Sequence, residues 1–269
     1  MMYRYNTRGE YAIAFLLLLL VIYIIAYPLI NPSFLNIQNY NKELAAVKSY
    51  GDIGKYSLER WVLQHGIYDT SYWGKCQSDI TSCVKDISEK GYFRGVCADF
   101  AAVFSYYYMK LGYGDPVVVV ITTPDQERHA EVVFFDGEQF SVFYGLNGDV
   151  HEVYYGSEWI KMSIGNRTWY DRLTYDLIRL TGKVPSDGQR LEEYLKEVNK
   201  GKMGYVDPLI LRVGQNTVSA QLFSPITVSG ACRLDGQDTV CPLSFTNLRI
   251  SGLEPGVCVV NGWILAVKP

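Results

Sequence analysis

The sequence predicts an α+β protein, and three observations carry that prediction. A twenty-residue apolar run occupies 11–30, a glycine-led helical pattern at 97–111 precedes three strand-like runs, and short alternating runs fill the chain beyond Gly204. The 269 residues carry 25 Lys+Arg against 28 Asp+Glu and are 48% apolar. That apolar content and low net charge exclude a disordered chain, and charges spread from Lys42 onward exclude a polytopic membrane protein. A net charge of -3 lacks the basic excess of a nucleic-acid binder, so no nucleic-acid partner is expected.

The run at 11–30 reads YAIAFLLLLLVIYIIAYPLI, and no charge occurs between Glu10 and Lys42. Twenty helical residues at 1.5 Å each span about 30 Å, the thickness of a bilayer core. Tyr23 and Tyr27 fall near the far end, where an aromatic belt would sit. A cleaved signal peptide competes with this reading, although Ala26-Tyr27-Pro28 is a poor cleavage site. The expectation is one transmembrane helix that contacts the membrane through 11–30. Arg4 and Arg8 precede the run and only Lys42 follows closely, so the N-terminus is expected in the cytoplasm and the main domains outside.

An external location gives the six cysteines meaning. Cys76 and Cys83 are close enough to close a small loop. Cys232 and Cys241 would face each other if Gly236-Gln237 formed a two-residue hairpin turn, and reduced thiols are the alternative. Asn166-Arg167-Thr168 is a glycosylation triplet compatible with exposure.

The expected organisation is a tail and anchor at 1–30 and a stalk with helical spacing at 31–55. A mixed core at 56–182, a linker helix at 183–204 and an all-β domain at 205–269, read as a small sandwich, complete it. Leu44, Val47, Leu58, Trp61 and Val62 mark the first apolar face. The stretch 67–90, rich in Ser, Asp and Lys, reads as irregular. Strands are expected at 116–122, 128–135 and 139–144, with Asp136-Gly137 turning the last pair. Trp169, Leu173, Leu177 and Leu180 share one helical face, as do Leu191, Tyr194, Leu195 and Val198. Ser186-Asp187 and Gly201 bound the second of these helices.

The chemistry concentrates at Gly95-Val96-Cys97-Ala98-Asp99-Phe100-Ala101. A glycine-flanked loop delivers Cys97 to the first turn of a helix, where the dipole and unpaired N–H groups favour a thiolate. His129 opens a strand, and an imidazole beside that sulfur would make a thiolate–imidazolium nucleophile. The other histidines, His65 and His151, lack metal-ligand spacing, and no nucleotide-binding or zinc-protease motif occurs. No cofactor and no metal are expected. Asp99 reads as an ordinary first-turn helix acid.

The segments GVCADFA, LGYGDPVVVV and RHAEVVFFDG, in that order, resemble the transglutaminase-like (papain-like thiol) superfamily. The resemblance covers about 58–149, and Trp61-Val62 and Gly66-Ile67-Tyr68 match the approach to that core. It implies a nucleophile helix packed on an antiparallel sheet, with Cys97 as nucleophile and His129 as base. The family's third residue, an Asp on the strand after the histidine, is replaced. A hairpin at Asp136-Gly137 sets Tyr144 opposite His129, and Asn147 or Asp149 can serve instead. The implied function is a cysteine-dependent peptidase, amidase or acyltransferase acting on a protein or peptide, with hydrolysis favoured over cross-linking. A catalytically silent domain that binds through its cleft is the alternative, and no oligomeric state is implied.

Overall fold

A computed structural model describes residues 17, 20–21, 41–48, 55–123, 125–143, 149–155, 168–222, 225–238 and 246–269. The fold is α+β with several sheets. Of the run at 11–30, only Leu17, Leu20 and Val21 lie among these residues. Among the described residues, no helix is long and apolar enough to cross a membrane. The expected transmembrane helix is corrected accordingly, and the single-pass location that rested on it is withdrawn. Crossing a bilayer takes a continuous apolar helix of about 20 residues, and no described helix has that length and composition.

The first half builds around a central helix. Residues 41–48 are helical and bury Val47. Helix α1 (Lys55–His65) turns Leu58, Trp61 and Val62 inward, at the i, i+3, i+4 spacing of one helical face. Strand β1 (Gly66–Tyr68) pairs in parallel with β2 (Phe93–Gly95), matching Tyr68 to Gly95. Between them, where the sequence reads as irregular, lie a 3-10 turn (Thr70–Tyr72), α2 (Lys75–Ser78) and α3 (Ile80–Lys90). Helix α3 buries Ile80, Cys83, Val84 and Ile87, and Asp79 caps it by accepting the Ser82 N–H at 3.3 Å. The polar residues that hid this helix lie on its outer face, and the Cys76–Cys83 disulfide ties α2 to α3. Helix α4 (Cys97–Lys110) is buried from Asp99 to Met109.

Four antiparallel strands follow: β3 (Val117–Thr122), β4 (Arg128–Phe135), β5 (Phe140–Phe143) and β6 (Asp149–Tyr155), in the order β5-β4-β3-β6. Alternation divides them cleanly. Val118, Ala130, Val132, Phe134 and Phe143 join the core around α4. Val117, Val119, Ile121, Val133, Phe135 and Phe140 join a second core on the other face. Helices α5 (Trp169–Thr181) and α6 (Leu191–Val198) cover that face through Leu173, Leu177, Leu191, Tyr194 and Leu195.

The same core continues into the C-terminal strands, so α6 is packed rather than a free linker. The buried Asn199 side chain donates to Ile264 O and accepts the Ile264 N–H, both at 2.8 Å. Two four-stranded sheets build this region. One runs β10 (Val228–Gly230), β13 (Gly256–Val260), β14 (Trp263–Lys268), β8 (Ile210–Arg212). The other runs β11 (Cys232–Gln237), β12 (Thr246–Gly252), β9 (Gly214–Gln221), β7 (Tyr205–Asp207).

Strands β10 and β11 are separated at Gly230. Its φ is +87°, and a Cβ there would meet Val257 O at 2.3 Å, so the chain changes sheets at that point. The expected Cys232–Cys241 pair is also corrected. Gly236 and Gln237 are not a turn but continue β11 past a bulge, and Cys232 bonds Cys258 of the facing sheet. Cys241 lies outside the described residues.

Candidate active site

The site begins with the loop that leads into α4. Val96, in extended conformation, is the N-cap, and Cys97 is the first helical residue. Its thiol is free and half-buried. The first N–H groups of a helix have no partner within it, so Cys97 sits where unpaired backbone donors and the positive end of the helix dipole favour a thiolate.

Asp99 sets the loop. Fully buried, its carboxylate accepts N–H bonds from Val96 and Gly74 at 2.9 Å, Cys76 at 2.7 Å and Gln77 at 3.3 Å. Four backbone donors satisfy a charge that burial would otherwise make very costly. The reading of Asp99 as an ordinary helix acid misses this role. Its position three residues after the N-cap signals the Val96 bond, but the three bonds to 74–77 come from a segment over twenty residues away. Gly95 permits the packing, because a Cβ there would stand 2.3 Å from Asp99 Cβ. Gly66 does the same for Phe100, whose ring would lie 2.2 Å from an added Cβ.

Tyr68 lies within electrostatic range of both Cys97 and Glu127. Tyr68 is largely exposed, yet partial desolvation, followed by its nearness to Cys97 and Glu127, pushes its hydroxyl above the ordinary tyrosine range. Helix α4 runs along the sheet with its N-terminus toward the start of β4. Ring contacts give this direction, since Phe104 and Tyr108, further along α4, meet Phe134 near the end of β4 at 5.6 and 5.3 Å.

His129 lies at the start of β4, paired with Ile121. Alternation, however, assigns it to the face of Ile121 and Val133, opposite the face whose Ala130, Val132 and Phe134 pack on α4. Its Nε2 is buried. The structure thus brings Cys97 and His129 to one end of the helix–sheet pair but gives them different register faces.

The third position also differs from expectation. Asp136 Oδ1 accepts the Glu138 and Gln139 N–H groups at 2.8 and 2.9 Å, which makes a four-residue loop and pairs Phe135 with Phe140. This register is two residues away from one that sets Tyr144 against His129, and β5 itself, Phe-Ser-Val-Phe, holds no acid. Tyr144, Asn147 and Asn166 lie outside the described residues. Asp149 opens β6, paired with Thr122, so β3 stands between it and β4.

His65 is held on its own helix. His65 Nδ1 bonds Trp61 O at 2.8 Å and its ring stacks on Trp61 at 4.3 Å. His151 falls at a register shift in β6. Among the described residues, no three His, Cys, Asp or Glu side chains group closely enough to hold a metal ion. Local sequence gives no signal for the pairing of Cys258, because its partner lies 26 residues back on another sheet. No protein-family model, curated protein or solved structure matches this chain.

Proposed function

We propose that the protein is a thiol acyl-transfer enzyme in which Cys97 attacks an amide substrate. The observation that carries this reading is a free, half-buried thiol at the first position of the central helix, at the same end of the sheet as His129. Cys97 Sγ adds to the amide carbonyl carbon, and the Cys97 N–H stabilises the resulting oxyanion. The C–N bond then breaks, His129 returns the thiol proton to the leaving amine, and a thioester remains on Cys97. Water releases the acid in hydrolysis, the favoured outcome; a primary amine releases a new amide in cross-linking.

Two disulfides among the described residues fit an oxidising compartment, where the reduced Cys97, the one free cysteine among the described residues, stands out.

The test is the rate of Cys97 alkylation by iodoacetamide near neutral pH, beside turnover of a glutamine-containing peptide panel. Fast alkylation that slows at least tenfold in His129→Ala, with turnover abolished in Cys97→Ala, supports the enzyme. Turnover that survives Cys97→Ala removes the nucleophile. A second reading, a catalytically silent domain that binds protein, is favoured by the register face of His129 and by the lack of an acid on β5. Binding without turnover and slow alkylation in both proteins would select it.

A further inference from the structure

Beside Cys97 the molecule exposes large apolar side chains that no core claims. Ile67 is 43% exposed, Tyr68 65%, Tyr72 39% and Trp73 76%. They come from one short segment, and the fold fixes them against the cysteine loop from two sides. On one side, β1 pairs Tyr68 with Gly95, and the Asp69 N–H donates to Gly95 O at 2.9 Å. On the other, the residue after Trp73 is Gly74, whose N–H donates to Asp99 Oδ2 at 2.9 Å. Arg94 braces the turn between them. It bonds Asp69 at 3.3 Å and lies 5.7 Å from the Tyr72 ring centre.

β1 and β2 form a sheet of only two strands among the described residues. Each strand therefore has one edge without a strand partner, a row of backbone donors and acceptors at strand spacing. We infer that an extended peptide adds to the β1 edge, seats an apolar side chain between Tyr68 and Trp73, and so brings its scissile or acylating amide to Cys97. Main-chain pairing gives such a site affinity and the side-chain positions give it selectivity. A glycan would also stack on exposed aromatic rings, but it has no alternating amide donors and acceptors to match an open strand. This inference rests on Cys97 being the nucleophile only for the orientation of the bound peptide. The docking itself is independent of turnover.

The full-length Cys97→Ala protein is titrated into a fluorescein-labelled hexapeptide, Ala-Ala-Phe-Gln-Ala-Ala, and anisotropy is read. Saturable binding is expected, weakened about tenfold by adding Tyr68→Ala or Trp73→Ala, the size of loss that roughly 1.4 kcal/mol represents. Methylating alternate backbone amides of the peptide should weaken it comparably without any change in the protein. Met203→Ala, an exposed residue on the C-terminal region, should leave binding unaltered. No saturable binding, equal binding by all variants, or stronger displacement by an N-acetylglucosamine hexamer than by unlabelled peptide would overturn peptide docking. Peptide binding with these losses, but no turnover by the unmutated protein, would sink the acyl-transfer reading and leave this one standing.

Discussion

Asp99 Oδ1 accepts the backbone N–H of Cys76 at 2.7 Å, so the carboxylate two residues beyond the candidate nucleophile grips a disulfide cysteine. The other three bonds of the carboxylate reach Gly74, Gln77 and Val96, and together they lock the 74–77 segment to the start of α4. Cys97 is held by a covalent link and a buried charge, neither of which touches its sulfur.

Asp99→Ala should therefore destabilise the fold by about 3 kcal/mol, the range for losing charged hydrogen bonds while leaving buried donors unsatisfied. Urea denaturation measures it. A loss under about 1 kcal/mol would show that water replaces the carboxylate readily. Asp99→Asn, which keeps one acceptor oxygen, should lose less.

Gly95→Ala should cost about 2 kcal/mol, because its Cβ would overlap the Asp99 side chain, which four backbone hydrogen bonds hold in place. Gly91→Ala is the informative contrast. Nothing lies within 4 Å of a Cβ there, yet its φ of +78° strains any other residue by about 1 kcal/mol. Thermal unfolding of the two variants should rank Gly95→Ala as the less stable.

The two disulfides should contribute unequally. Cys76 and Cys83 close a separation of 7 residues, Cys232 and Cys258 one of 26. Chain entropy gives about 2.5 kcal/mol for the first and about 3.5 kcal/mol for the second. Replacing each pair by serine and comparing urea midpoints tests the order. Peptide mapping of the unreduced protein should recover Cys232 joined to Cys258; a Cys232–Cys241 fragment would refute the inter-sheet bond.

The buried Asp171 supplies a pH dependence. Burial raises its carboxyl above the ordinary Asp range, against the lowering effect of bonds from the Thr168 hydroxyl and the Asp115 and Thr168 N–H groups. The folded state binds this proton more tightly than the unfolded one. Its contribution is fully present below the unfolded Asp pKa and is lost as pH rises through the raised folded value. Urea titrations across acidic pH should show that loss in the native protein and not in Asp171→Asn. A carboxyl resonance titrating at or below the ordinary Asp value would refute the shift.

Local pattern alone placed much of this protein. Glycine followed by cysteine and an apolar helix marked α4, runs of β-branched and aromatic residues marked β3 and β4, and the i, i+3, i+4 faces of α1, α5 and α6 were legible because the helical period is set by backbone geometry. Those signals also named Cys97 and His129. The helix at 80–90 escaped because its polar face outweighs its four buried positions. The apolar run at 11–30 showed the opposite limit: composition suggested a span, and no described helix supplies the length.

What only the tertiary structure decided is partnership between distant segments. A sequence shows that Asp99 follows Val96 by three, but the Cys76 and Gly74 donors reach it only once α2 folds back on α4. Alternation shows that His129 and Ala130 point apart, but which of them meets α4 depends on which sheet face the helix covers. Cys232 chose Cys258 over Cys241 because a bulge carried β11 past the expected turn and two sheets met across one core. Short-range periodicity records the first kind of fact, and long-range packing, which minimises exposed apolar surface over the whole chain, records the second.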